Sequence, residues 1–107
     1  MKRIWLKIII ISLTLSGCTV QPVDTNQVQV VATFYPLAFL AEQVGGDLVQ
    51  VTTVVPNGVE PHDFTPTPQD IVKVTNAEVF IYNGSGFDTW AENIPAEDYI
   101  KARQIKA

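Results

Sequence analysis

Three β-branched runs, each followed by residues at helical spacing, constrain this chain more than any other feature. Val28, Val30 and Val31 lead into residues 32–34, a run suited to a strand buried on both faces. Tyr35-Pro36 ends it, with Pro36 placed for the first turn of a helix. Leu37, Leu40, Ala41 and Val44 then recur at helical spacing until Gly45-Gly46 closes the pattern. A second strand is predicted over residues 48–55, and Pro56-Asn57-Gly58 opens a long loop to about Thr67. Pro68 starts a short helix, with Thr67 as N-cap, Asp70 at N3, and Ile71, Val74 and marginally Val72 on its apolar face. A third strand spans residues 78–82, Asn83-Gly84-Ser85-Gly86 turns the chain, and residues 87–93 are predicted helical until Ile94-Pro95. The remaining tail is less defined, with helix the reading for residues 96–104.

Strands alternating with helices imply an α/β fold, a parallel sheet with right-handed crossovers and helices on its faces. At 107 residues the chain allows at most one ordinary domain. No internal repeat or low-complexity tract is present.

The first residues do not belong to that pattern. Lys2, Arg3 and Lys7 form a positive region, Ile8-Ile9-Ile10-Ile11 opens an apolar region ending near Leu15, and Leu15-Ser16-Gly17-Cys18 follows. That order reads as an export signal over residues 1–17. A membrane-spanning helix needs about 20 apolar residues, and Ser12 and Thr14 interrupt a shorter run here. The Leu-Ser-Gly-Cys ending resembles a lipobox, which makes Cys18 the lipid anchor and the membrane a partner. Cys18 is the only cysteine, so no intrachain disulfide forms. Residues 18–27 are polar and read as a flexible tether, leaving residues 28–107 as the folded part. Without Lys2, Arg3 and Lys7, four basic side chains face eleven acidic ones, a net of about −7. An acidic chain without a basic patch argues against nucleic acid as partner.

Residues 56–68 are the segment richest in chemistry. They join a strand end to a helix start, the edge where open parallel sheets bind ligands. Pro56, Pro61, Pro66 and Pro68 restrict their backbone. His62, the one histidine, lies at the centre. Neutral imidazole is a good ligand for zinc and other divalent transition metals. Glu60 and Asp63 flank it and either orient the ring or act as solvated and turn-capping groups. Spacing leaves two readings open for His62: a metal ligand, or a surface histidine without partners at ligand spacing.

Val31-Ala-Thr-Phe-Tyr-Pro-Leu37, Gly45-Gly-Asp47, residues 54–70 with their Glu60-Pro-His-Asp63 core, Ala77, and Tyr82-Asn-Gly-Ser-Gly-Phe-Asp-Thr-Trp90 occur in one family's order. They resemble the zinc/manganese solute-binding lipoproteins of ABC importers (cluster A-I, adhesin-like metal receptors) over residues 28–95. The resemblance implies an extracytoplasmic, lipid-anchored or periplasmic receptor that captures Zn²⁺ or Mn²⁺ and delivers it to an ABC permease. It makes His62 the first metal ligand. It implies two three-layer parallel-sheet lobes joined by a long rigid helix, of which this chain carries the first part of the N-terminal lobe. The family's further ligands, usually another histidine, then a histidine or glutamate, then an aspartate, lie well downstream and have no counterpart here, so the chain resembles about the first third of a receptor. Either it is a truncated product or fragment, or its partner segment is encoded separately. Such a chain is expected to bind metal weakly or not at all, and zinc and manganese both stay open.

Trp90 and Phe87 are expected to pack the following helix onto the sheet, with a rim contact near the metal as the lesser alternative, and Tyr35 either lines the cleft or enters the core. Three other functions remain as alternatives. A metal-dependent hydrolase using His62 with Asp63 or Glu60 would need more ligands, a base and a nucleophile motif. An adhesin or interaction lipoprotein, and a non-functional remnant, are the others.

Overall fold

The computed structural model describes residues 26–99 and 101–107; the expected export signal, the expected anchor Cys18 and most of the expected tether fall outside the described residues. The elements are β1 (Val28–Ala32), α1 (Tyr35–Gly45), a 3-10 turn (Gly46–Leu48), β2 (Val49–Thr53), α2 (Pro68–Asn76), β3 (Val79–Tyr82), α3 (Thr89–Glu92), a second 3-10 turn (Ala96–Asp98) and β4 (Arg103–Lys106). Every pairing is parallel and the strand order is β2-β1-β3-β4. The α/β class and the parallel sheet expected from the sequence are therefore present.

Alternation along β1 sends its buried residues to opposite faces. Val31 joins Val54, Val74, Ala77, Phe80 and Ala91, the core beneath α2 and α3. Ala32 joins Leu37 and Ala38 of α1 on the other side. The chain is thus three-layered: α1, sheet, then α2 with α3. Val74 and Phe80 are fully buried, and burying such a side chain is worth roughly 1.5–3 kcal/mol.

Local signals set the helix limits. Gly46, at φ 51°, closes α1 and its N–H donates to the Glu42 carbonyl. α2 begins with a reciprocal cap: the Thr67 hydroxyl accepts from the Asp70 N–H, and the Asp70 carboxylate accepts from the Thr67 N–H at 2.9 Å. This is the cap the sequence predicted. Val72 is exposed and takes no part in the apolar face.

The tail corrects the sequence reading. Instead of a helix over residues 96–104 there is a single 3-10 turn, followed by β4 along β3. Pairing explains the difference: the Arg103 N–H donates to Glu78 and the Ala107 N–H to Tyr82, at 2.9 and 2.8 Å. The helix predicted over residues 87–93 is also shorter, limited to α3. At the other end, Gln27 is tied in, its amide donating to the Asp47 carbonyl at 3.0 Å.

The Thr67 hydroxyl, first, and its backbone N–H hold the Asp70 carboxyl below its ordinary value. A lowered folded-state value gives stability that is present above the unfolded value of 3.8 and is lost as pH falls through the folded one. Thr67→Ala should cost about 1 kcal/mol at neutral pH. The loss should shrink below the carboxylate range, as read by urea denaturation at the two pH values.

Candidate metal centre

Because all strands run the same way, the connections after β1, β2 and β3 leave from one edge of the sheet. The middle connection carries His62. It starts as an extension of β2: the Val54 N–H donates to Ala32 at 3.0 Å and the Val55 N–H to Thr33 at 2.9 Å. Both valines are buried. The Val59 N–H then donates to Pro56, and the Asp63 N–H to Glu60, both at 3.2 Å. The second bond closes a turn over Glu60-Pro61-His62-Asp63 with proline at its second position, where the fixed φ of proline suits a turn. Pro61 is buried. Just past the turn, Phe64 meets Trp90 edge-on at 5.8 Å and packs against the core.

His62 therefore sits at the tip of a loop anchored on both sides. Its side chain is 52% exposed. Nε2 lies 3.4 Å from an Asp63 carboxylate oxygen and Nδ1 lies 3.9 Å from one of Glu60. Contacts this exposed hold the ring weakly, so its nitrogens stay accessible. Among the described residues no three His, Cys, Asp or Glu side chains converge as a metal cluster. The site as described comprises one imidazole and two flanking carboxylates.

Beside the loop lies a cleft of about 270 Å³, bounded by Phe34, Tyr35, Pro56, Val59, Glu60 and Phe87. Tyr35 is a cleft residue, exposed and not in the core. Phe87 takes the lesser of its two expected positions: it is partly exposed on the cleft rim, 5.0 Å from Phe34. Trp90 does pack α3 onto the sheet, 6.2 Å from Phe80.

The family model for ZnuA, zinc-uptake complex component A, periplasmic, matches residues 30–107. The chain belongs to this family. It is 40% identical over 65 residues to the high-affinity zinc uptake system protein ZnuA of Bacillus subtilis, covering 61% of this chain and 20% of that protein. It is 33% identical over 91 residues to the manganese-binding lipoprotein MntA of Halalkalibacterium halodurans, covering 81% of this chain and 30% of that one. The crystal structure of Zn(II)-bound AdcA from Streptococcus pneumoniae superposes with a TM-score of 0.69 at 30% identity, over 75% of this chain and 18% of that one. The chain thus spans under a third of the length of these relatives. The ZnuA family is one of metal-binding receptors rather than enzymes, which sets the hydrolase reading aside.

One residue of this ZnuA-family chain went unread in the sequence. Asp88 is fully buried, and its carboxylate accepts from the Thr33 hydroxyl at 2.6 Å, the Asn83 N–H at 2.9 Å and the Gly84 N–H at 2.6 Å. Glu92 continues the pattern, accepting from the Ser85 and Gly86 N–H groups and from Lys106 at 2.7 Å. Four successive backbone N–H groups, residues 83–86, thus point at two carboxylates. The run needs positive φ at Gly84 (70°), Ser85 (55°) and Gly86 (82°), and a Cβ on Gly84 would collide with the Lys106 side chain. Lys106, above all by its hydrogen bond, holds the Glu92 carboxyl below its ordinary value. The available signal was an acidic residue four positions beyond a Gly84 fit for left-handed backbone.

Phe64 is the C-terminal anchor of the His62 loop. Fully buried Phe→Ala changes cost about 3–5 kcal/mol, so the partly buried Phe64→Ala should cost about 2 kcal/mol. Urea denaturation checks the cost. Hydrogen exchange should show faster exchange at the Asp63 N–H than at the amides of β1.

Proposed function

We propose that this chain is the N-terminal part of an extracytoplasmic receptor that captures Zn²⁺ or Mn²⁺ and delivers it to an ABC permease. His62 supplies the first protein ligand, and Glu60 and Asp63 orient its ring and draw cations to the loop. Cys18 carries the lipid that holds the receptor at the membrane, with residues 1–17 as its export signal and residues 18–27 as its tether. The observation that carries the reading is the placement of His62: an accessible imidazole on a turn closed by Pro61, anchored on both sides at the ligand-binding edge of a parallel sheet. Relatives named for zinc and for manganese support the class of cargo. Zinc sites draw three or four ligands from protein, and among the described residues no three His, Cys, Asp or Glu side chains converge.

A single imidazole with two exposed carboxylates should bind Zn²⁺ weakly but locally. Titrating Zn²⁺ into the 107-residue chain should give saturable shifts of the Asp63 and Phe64 amides by NMR, and His62→Ala should abolish them. An unchanged titration in His62→Ala would assign the binding to the carboxylates and overturn His62 as ligand.

A further inference from the structure

We infer that Asp88 is a positioning residue for the metal-binding loop, fixing both anchors of the turn that presents His62; this rests on the metal reading above. The first anchor runs through Thr33, which is fully buried. Its N–H donates to Ile81 of β3 at 3.0 Å, its carbonyl accepts from Val55 at the base of the His62 loop, and its hydroxyl donates to Asp88. One residue therefore joins β3, the loop base and the Asp88 carboxylate. The second anchor runs through α3. Asp88 is its N-cap residue, and its carbonyl accepts from the Ala91 N–H at 2.9 Å. The first turn of α3 carries Trp90, against which Phe64 packs two residues beyond His62.

The carboxylate suits this task in a way an amide does not. All three of its partners are donors, with Gly84 on one oxygen and Asn83 and Thr33 on the other. In Asp88→Asn, one backbone N–H must face an NH₂ group whichever way the amide turns, and a buried donor without an acceptor is costly. The strain falls on the Asn83–Asp88 turn and on Thr33, the two routes to the loop.

The test compares the 107-residue chain with Asp88→Asn, Thr33→Val and Val30→Ala, the last a core change on the α1 face. Zn²⁺ dissociation constants from Asp63 amide shifts and hydrogen exchange at Val55 and Asp63 are measured where each protein is folded. Asp88→Asn should weaken Zn²⁺ binding about threefold, less than the 10- to 100-fold for groups that touch a ligand directly, and should speed exchange at both amides. Thr33→Val, which keeps every backbone bond, should act in the same direction and serves if Asp88→Asn does not fold. Val30→Ala should do neither. Unchanged affinity and exchange in both loop-side variants, or the same changes in Val30→Ala, would overturn the inference. Zn²⁺ shifts that survive His62→Ala would overturn the metal reading instead, and the exchange result would still decide whether Asp88 positions the loop.

Discussion

Parallel hydrogen bonding on both flanks of β1 is the constraint on which the rest of the structure depends. Its register sets Ala32 level with Thr53 on one side and Ile81 on the other. The chain therefore leaves β1, β2 and β3 at nearly the same height, with Thr33 level with Val54 on one side and Tyr82 on the other. Had one strand run antiparallel, its exit would lie at the far edge and the His62 loop would lose its neighbours. The same pairing requires cover on both faces of the sheet. On the α1 face an apolar groove of about 400 Å³, lined by Val30, Leu37, Leu40, Val44, Val79 and Ile81, lies open among the described residues.

Within that edge, rigidity and exposure are separated along one loop. Val54 and Val55 are locked into the sheet, Phe64 is held by Trp90, and four prolines between residues 56 and 68 narrow the backbone. The tip between them is open to solvent. Ordering a free loop on binding costs about 1–2 kcal/mol per backbone residue, and a loop already stiffened has less to lose. On the proposed reading, a cation arriving at His62 meets an exposed imidazole on a backbone that has little freedom left.

Much of this was legible in the sequence because local chemistry and tertiary structure agree there. The Thr67–Asp70 cap, Pro36 opening α1 and Gly46 closing it need no distant partner, so the residues announce them. The His62 loop showed itself by its prolines and by its place between a strand and a helix. β4 was not legible: Arg103-Gln104-Ile105-Lys106 contains good helix formers and one apolar residue. What makes it a strand is the open edge of β3, a partner more than twenty residues away. Asp88 was hidden for a related reason. An aspartate before a short helix reads as an ordinary cap, and nothing local reveals that its carboxylate is directed inward to Thr33, fifty-five positions earlier.

Asp88 and Asp63 show how position divides one residue type between two tasks. A buried carboxylate is tolerated only when its oxygens are hydrogen-bonded, and the three donors around Asp88 meet that demand. Those bonds also occupy the oxygens, so Asp88 is poorly placed to bind a cation and well placed to hold backbone. Asp63 is exposed and has only a weak contact with His62, so it contributes little to stability and keeps its lone pairs available. Exchanging the two environments would remove both functions: a carboxylate without donors inside would be costly to bury, and one saturated with donors at the tip would have nothing to offer a metal. On the proposed reading, the loop therefore depends on a buried acid that holds backbone as much as on the exposed groups at its tip.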